Sequence, residues 1–220
     1  RDKDIIAGKV LGQGQRPAWL ISQPDIGGVK LQNPDYASWP LDKRIAEAKK
    51  LLNEAGYNAS HPLSFNLLYN TSESHQRIAI AASSMWKKNL GVEAKLQNQE
   101  WKTMLDTMHT HNFDAVRYAW IADYDDAATF LNNFRTGDSE NTSQYSNPDY
   151  DRALLNAAKA KSAEERGKFY QQAEDLLGRD VPAIPVYHYV RTHLVKPWVG
   201  GFTPDKLGYY FTKDMYIKKH

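Results

Sequence analysis

The order of strand and helix patterns in the middle of the chain narrows the choice of folds sharply. Residues 63–69 alternate apolar and polar side chains, which predicts a strand, and residues 92–97 repeat the alternation. Helical patterns at 75–89 and 100–109 separate these strands from each other and from a third β-prone run, 113–121. Strand, helix, strand, helix, strand in this order predicts right-handed crossovers and a mostly parallel α/β sheet flanked by helices.

Further helical patterns flank this alternating region. An apolar stripe predicts a helix over 41–55, and others are predicted from near Asp126, from Asn147 and over 163–177. Residues 1–40 carry many glycines and prolines, so an ordered loop is expected there rather than a regular element.

The character of the chain changes near residue 180. Residues 1–180 are expected to form one α/β lobe, and residues 181–220 an extended tail. The tail is rich in proline, glycine and aromatic residues and shows no helical pattern. A tail of this kind needs a second surface on which to pack.

Composition and motifs exclude several classes of function. The formal charge is only +2, from 28 basic and 26 acidic side chains, which argues against nucleic acid as a partner. Without cysteine the chain has no disulfide, thiolate nucleophile or cysteine zinc site. The common nucleophile, phosphate-loop and zinc-protease motifs are missing as well. His109 and His111 could be metal ligands, but two exposed histidines at a helix end are the simpler interpretation, so no metal or cofactor is expected.

Three acidic residues, Asp123, Asp125 and Asp126, follow the third predicted strand. Asp126 is interpreted as the cap of the next helix. Asp123 lies just past the strand end, where α/β sheets bind ligands, and its nearest cation in sequence is Arg117. Two interpretations stay open: a carboxylate on a surface loop, or a carboxylate that pairs with a cationic group of a ligand.

Aromatic residues make up 12% of the chain and several lie near the same strand end: Trp101, Tyr118, Trp120 and Tyr124. Amphipathic rings beside a few polar groups suit a site for varied ligands. Tryptophans are more often core residues, so this cluster alone decides nothing.

Long segments of the chain resemble the oligopeptide-binding proteins of Gram-negative bacteria. The resemblance is carried by LLYNTSESH at 67–75, IAIAASSMWKKNLG at 78–91 and LQNQEWKT at 96–103. Shorter matches are FD at 113–114, ADY at 122–124, LVKPWVGG at 194–201 and MYI at 215–217. The chain is also similar to the closely related murein-tripeptide-binding proteins.

The resemblance implies one lobe of a two-lobed receptor with the type II fold of periplasmic binding proteins. The chain would be the C-terminal part of a longer protein, and its tail would return to the other lobe. The implied function is that of a periplasmic, monomeric, non-enzymatic component of an ABC importer. It would close by a hinge around short peptides and deliver them to permease subunits in the inner membrane.

The resemblance also implies roles for individual residues. The main chain from Ala119 to Ile121 would pair with an extended peptide as an added strand. Asp123 would hold the peptide α-ammonium group, and Arg117 and His75 would neutralise its carboxylate. The remaining matched positions would line the peptide or its side-chain pockets: Trp101, Trp120 and Tyr189.

Two positions depart from the family pattern. Met108 stands where arginine is common, which removes one partner of the peptide carboxylate and bears on the preference for dipeptides and tripeptides. Ile121 replaces a cysteine that forms a disulfide in some relatives. Two alternatives remain: a murein-tripeptide receptor of the same fold, and a hydrolase that uses Asp123 with a second carboxylate.

Overall fold

The structure, a computed structural model, describes residues 2–219. Its centre is a parallel three-stranded sheet in which β2 (Ser64–Asn70) lies between β3 (Glu93–Gln99) and β4 (Ala115–Val116). β2 pairs with β3 along its whole length, from Ser64 opposite Glu93 to Asn70 opposite Gln99. This confirms the predicted α/β fold with a parallel sheet and flanking helices.

Alternation along β2 sends successive side chains to opposite faces of the sheet, and a helix covers each face. Leu67 and Tyr69 pack with Ala79 of α2 (Glu73–Leu90). Leu68 points the other way and packs with Met104 and Met108 of α3 (Trp101–His109). The sheet is therefore held between two helices whose first residues lie just beyond the carboxyl ends of β2 and β3.

A second helical layer forms the largest core. Its main helices are α5 (Pro148–Lys159) and α6 (Ala163–Asp180), which pack against each other. Asn147 and Ser162 begin them by accepting hydrogen bonds from amides of the first turn. The short α4 (Ala128–Leu131) contributes Phe130 and Leu131 to the same core, while α1 (Leu41–Glu54) lies outside it and contacts α2.

A buried carboxylate fastens the N-terminal loop to this layer. Glu174 of α6 is only 3% exposed. Its Oε1 accepts hydrogen bonds from the Ser22 amide at 2.8 Å and the Ser22 hydroxyl at 2.6 Å, and its Oε2 accepts from the Ile21 amide at 3.0 Å. These bonds favour the charged carboxylate, but burial outweighs them and raises the pKa of Glu174.

The tail begins beside the N-terminal loop, and further along it Leu207 packs against the largest core and Lys206 lies 3.7 Å from Asp125. β5 (Tyr187–His188) pairs antiparallel with β1 (Arg16–Pro17), and β6 (Val199–Gly200) pairs antiparallel with β7 (Tyr216–Ile217). The tail exposes large apolar side chains, among them Leu194, Phe211, Tyr216 and Ile217.

Two predictions about the fold are wrong in detail. The predicted strand 113–121 is paired only at Ala115–Val116, opposite Leu67 and Leu68. In this register β2 reaches only as far as Tyr118, so residues 119–121 have no β2 residue opposite them. The N-terminal loop includes a π-helical segment, Ile5–Leu11, that its glycine content did not suggest. None of the helices between residues 2 and 219 is long and apolar enough to cross a bilayer.

Candidate functional site

Three predicted site residues lie together at the carboxyl edge of the sheet. His75 is in the first turn of α2, just after β2 ends at Asn70. Trp101 opens α3 immediately after β3, and Arg117 directly follows β4. Because the strands are parallel, their carboxyl ends meet at one edge, which is where open α/β sheets bind ligands.

Arg117 is the centre of a hydrogen-bond network. Its Nη2 donates to the hydroxyl of Tyr187 at 2.8 Å and to the hydroxyl of Tyr189 at 2.6 Å. Its Nη1 lies 3.4 Å from Nδ1 of His75. Both tyrosines belong to the tail, and the pairing of β1 with β5 places them beside the sheet.

The contacts of His75 indicate which ring nitrogen carries the proton. Nδ1 lies 2.7 Å from Oδ1 of Asn70, which can only accept, and Nε2 lies 2.9 Å from the Tyr189 hydroxyl. With the proton on Nδ1, three bonds follow in sequence: Arg117 donates to Tyr189, Tyr189 donates to Nε2 of His75, and Nδ1 of His75 donates to Asn70. The 3.4 Å approach of Arg117 Nη1 to Nδ1 is then a contact between two donors and not a hydrogen bond. Burial, and then the charge of Arg117, lower the pKa of His75 to about 4, so the ring is neutral near pH 7.

Sequence reasoning missed Tyr187, which is more buried than Tyr189. Burial raises its pKa to about 12, although the Arg117 charge acts in the opposite direction. The only signal was the i, i+2 spacing of the two tyrosines in the extended tail, which puts both rings on one face of a strand. Their contact with Arg117 spans 70 and 72 positions of sequence.

The main chain after Arg117 is extended and unpaired. The amide of Arg117 still donates to the Leu68 carbonyl at 2.7 Å. From Tyr118 to Ile121, neither amide nor carbonyl groups have a hydrogen-bond partner within residues 2–219. Main-chain groups normally find a partner, so this row is open to an added strand or to water.

Asp123 lies past the end of this open segment and is exposed. Its amide donates to the Thr129 hydroxyl at 2.9 Å, and that hydroxyl lies 3.3 Å from its Oδ2. Thr129 is 4% exposed and therefore holds the carboxylate in one orientation. No cation pairs with Asp123 in the described part of the chain.

The neighbouring acids are used differently. Asp125 accepts from the Gly27 amide at 2.8 Å, and Asp126 accepts from Arg166 at 2.8 Å and from the Tyr170 hydroxyl. Burial alone would raise the pKa of Asp126, but these hydrogen bonds, with one from the Ala128 amide, hold it below its usual value. Asp125 and Asp126 thus hold the loop through contacts with other parts of the chain, whereas the Asp123 carboxylate is exposed and contacts only the nearby Thr129 hydroxyl among the described residues.

Comparison with known proteins identifies the family of the chain. Residues 1–142 match the family described as bacterial extracellular solute-binding proteins, family 5, middle region. The chain belongs to this family. The periplasmic oligopeptide-binding protein OppA of Escherichia coli is 49% identical over 220 residues, which cover all of this chain and 40% of the relative.

Two solved structures of the family share this fold. Haemophilus influenzae OppA in complex with the peptide RPPGFSPFR has a TM-score of 0.90 at 43% identity, over 99% of this chain and 43% of that one. The Escherichia coli murein tripeptide-binding protein MppA has a TM-score of 0.93 at 41% identity, over 100% and 43% of the two chains. The chain therefore spans about 40% of the length of the family 5 proteins it matches.

The predicted aromatic cluster is divided in the structure of this family 5 chain. Trp101 stacks on Tyr118, with ring centroids 6.1 Å apart and planes 11° from parallel. Trp120 instead packs against the core around α5 and α6, and its Nε1 is buried without a partner among residues 2–219. Met108 is 2% exposed beneath the sheet, where an apolar side chain completes the core.

The structure thus joins some of the predicted site residues and separates others. His75, Arg117 and Tyr189 form one network, and Trp101 lies at the same sheet edge through its contact with Tyr118. The residues outside that network follow it along the chain: Ala119, Trp120, Ile121 and Asp123. Ile121 is 53% exposed, as a residue of an open cleft surface would be.

Proposed function

We propose that the chain is the C-terminal part of a peptide receptor that captures short extended peptides between two lobes. The main-chain groups of residues 118–121 would pair with the peptide backbone, which gives affinity without regard to side chains. Asp123 would bind the peptide α-ammonium, and Arg117 with His75 would bind its carboxylate. Trp101, Trp120 and Tyr189 would line the cleft.

One observation carries this proposal: an unpaired extended segment lies between a cationic and an anionic group. The order of charges suits a peptide running antiparallel to the segment, with its amino end at Asp123. Six residue steps separate Arg117 from Asp123, and an extended chain covers at most ~20 Å in six steps. The span therefore suits peptides of about six residues or fewer.

The rest of the receptor would supply the opposite wall of the cleft. Residues 1–180 would form one lobe, and residues 181–220 would return to the other lobe. That second lobe would cover the apolar side chains that the tail exposes here. The relatives are named as periplasmic proteins, and we place this protein in the periplasm, delivering peptides to an ABC permease. It would act as a monomer and catalyse no reaction, in contrast to a carboxylate-dependent hydrolase.

Calorimetry on the full-length receptor tests the proposal. Trialanine should bind, while trialanine with an acetylated amino terminus or an amidated carboxyl terminus should bind much more weakly, because each change removes one end charge. Equal binding of all three peptides would contradict it. Recovery of the ligand uncleaved after incubation separates a receptor from a hydrolase.

A murein-tripeptide receptor is the second candidate. It is favoured by the TM-score of 0.93 with the murein tripeptide-binding protein MppA. Competition between murein tripeptide and trialanine for the full-length receptor would distinguish the two, since the preferred ligand displaces the other at lower concentration.

A further inference from the structure

Trp101 and Tyr118 form a stacked aromatic pair that no core contact requires. Trp101 is 44% exposed and Tyr118 is 37% exposed, although their rings are nearly parallel. Tyr118 is also the first residue of the open main-chain segment. A bound strand paired with residues 118–121 would therefore pass directly beside the two rings.

The exposed surface of a stacked pair favours a flat partner. A third planar group can continue the stack, and a cationic one gains from the negative face of the ring. The guanidinium group of arginine has both properties, whereas the ammonium group of lysine has only the charge.

The charges around the pair also favour a cation. Arg117 precedes Tyr118, but consecutive side chains of an extended segment point to opposite sides, and its guanidinium is bound to Tyr187 and Tyr189. The negative charge of Glu140 is, after burial, the second cause that raises the pKa of the Tyr118 hydroxyl. A hydrogen bond between His111 and the Thr142 carbonyl, at 3.1 Å, ties the Glu140 loop to the end of α3.

We propose that Trp101 and Tyr118 form a subsite for an arginine side chain of the bound peptide. The rings take the flat face of the guanidinium group, and the negative charge of Glu140 favours a cation there. The inference rests on the proposed function. Since the peptide carboxylate is assigned to Arg117, the subsite serves the residues in the carboxyl-terminal half of a short peptide.

The test compares peptides on the full-length receptor by calorimetry. Trialanine is measured beside Ala-Arg-Ala and Ala-Ala-Arg, and beside the same two peptides with citrulline, the neutral isostere of arginine. At one of the two positions arginine should bind about 5- to 20-fold more tightly than alanine, the range expected for a partly desolvated cation–π contact. Citrulline should lose most of that gain.

Variants assign the preference to the site. Tyr118→Leu should abolish the arginine preference, measured in each variant as the ratio of the affinities for the arginine peptide and for trialanine, and Tyr118→Phe should keep that ratio. Glu140→Gln should reduce the preference several-fold. Glu93→Gln, at the start of β3 and the opposite end of the sheet, is the matched control and should leave the preference intact.

The outcomes separate this inference from the proposed function. If trialanine and the arginine peptides bind equally well, the arginine subsite is refuted and the peptide receptor stands. If no peptide binds, the proposed function fails first. An arginine preference that survives Tyr118→Leu and Glu140→Gln would also overturn the subsite.

Discussion

The titration of His75 is a direct test of the network around Arg117. Protonation would place a second positive charge on a ring whose Nδ1 lies 3.4 Å from the Arg117 guanidinium, in a half-buried position. Burial of the ring and, to a smaller extent, the charge of Arg117 lower the pKa of His75 from its ordinary value of 6.5 to about 4.

The shift makes stability depend on pH in a definite direction. Because the folded-state pKa is the lower one, the unfolded chain binds more protons between about pH 4 and 6.5. The contribution of His75 to the free energy of unfolding is thus fully present above pH 6.5 and is lost as the pH falls through 4. A shift of this size would correspond to ~3 kcal/mol for a fully buried group, and solvent screening at a half-buried ring reduces it to about 1–2 kcal/mol.

Long-range proton–nitrogen NMR spectra recorded between pH 3 and 8 measure the pKa, and His75→Gln identifies the signal by its loss. Arg117→Met should raise the pKa of His75 but leave it below 6.5, because burial remains. Chemical shifts at neutral pH should show the proton on Nδ1. A titration at pH 6 or above in the unaltered protein would refute the network as described.

Three further predictions follow from other contacts. In the full-length receptor, Asp123→Asn should cost ~3–5 kcal/mol of affinity for a peptide with a free amino terminus and little for an acetylated peptide. Calorimetry measures both affinities. Equal losses for the two peptides would contradict the assignment of Asp123 to the peptide α-ammonium group. The 220-residue chain alone should give no binding heat at concentrations that saturate the full-length receptor, because half of the cleft is missing; comparable affinity would contradict the two-lobed cleft. Glu174→Gln should lower the free energy of unfolding by about 1–3 kcal/mol, because the new amide group would point a donor at the amide of Ile21 or Ser22. Ser22→Ala should lower it by about 1 kcal/mol. Denaturant titration measures both changes, and an unchanged midpoint for Glu174→Gln would contradict the role of Glu174 in holding the N-terminal loop.

Local patterns were sufficient to predict most of the secondary structure. The alternation at 63–69 and the stripe at 75–89 match β2 and α2 to within a few residues, because each pattern depends only on which face is buried. The prediction of a strand over 113–121 was wrong in extent, because a local pattern does not show whether a neighbouring strand is present. These residues favour a strand, but pairing requires a neighbour, and β2 offers none beyond the position of Tyr118.

The roles of His75, Trp101 and Arg117 came from the resemblance to the family. Their common position at one edge of the sheet has a physical reason, since the carboxyl ends of parallel strands meet there. The tail contacts could not be derived in this way, since nothing local links Tyr187 to a residue 70 positions earlier. The burial of Trp120 could not be decided from the sequence either, because a tryptophan near a strand end can belong to the core or to a ligand site, and here it packs against the main core.

The unpaired main chain of residues 118–121 can also pair with unwanted partners. A row of free amides and carbonyls accepts any extended polypeptide, including a segment of another copy or of an unfolded neighbour. Next to exposed Ile121, such a row is a starting point for unwanted strand addition whenever the cleft stands empty. If the proposed function holds, a bound peptide would cover this segment and reduce self-association, so the concentration of peptide would influence how long the unliganded protein stays monomeric.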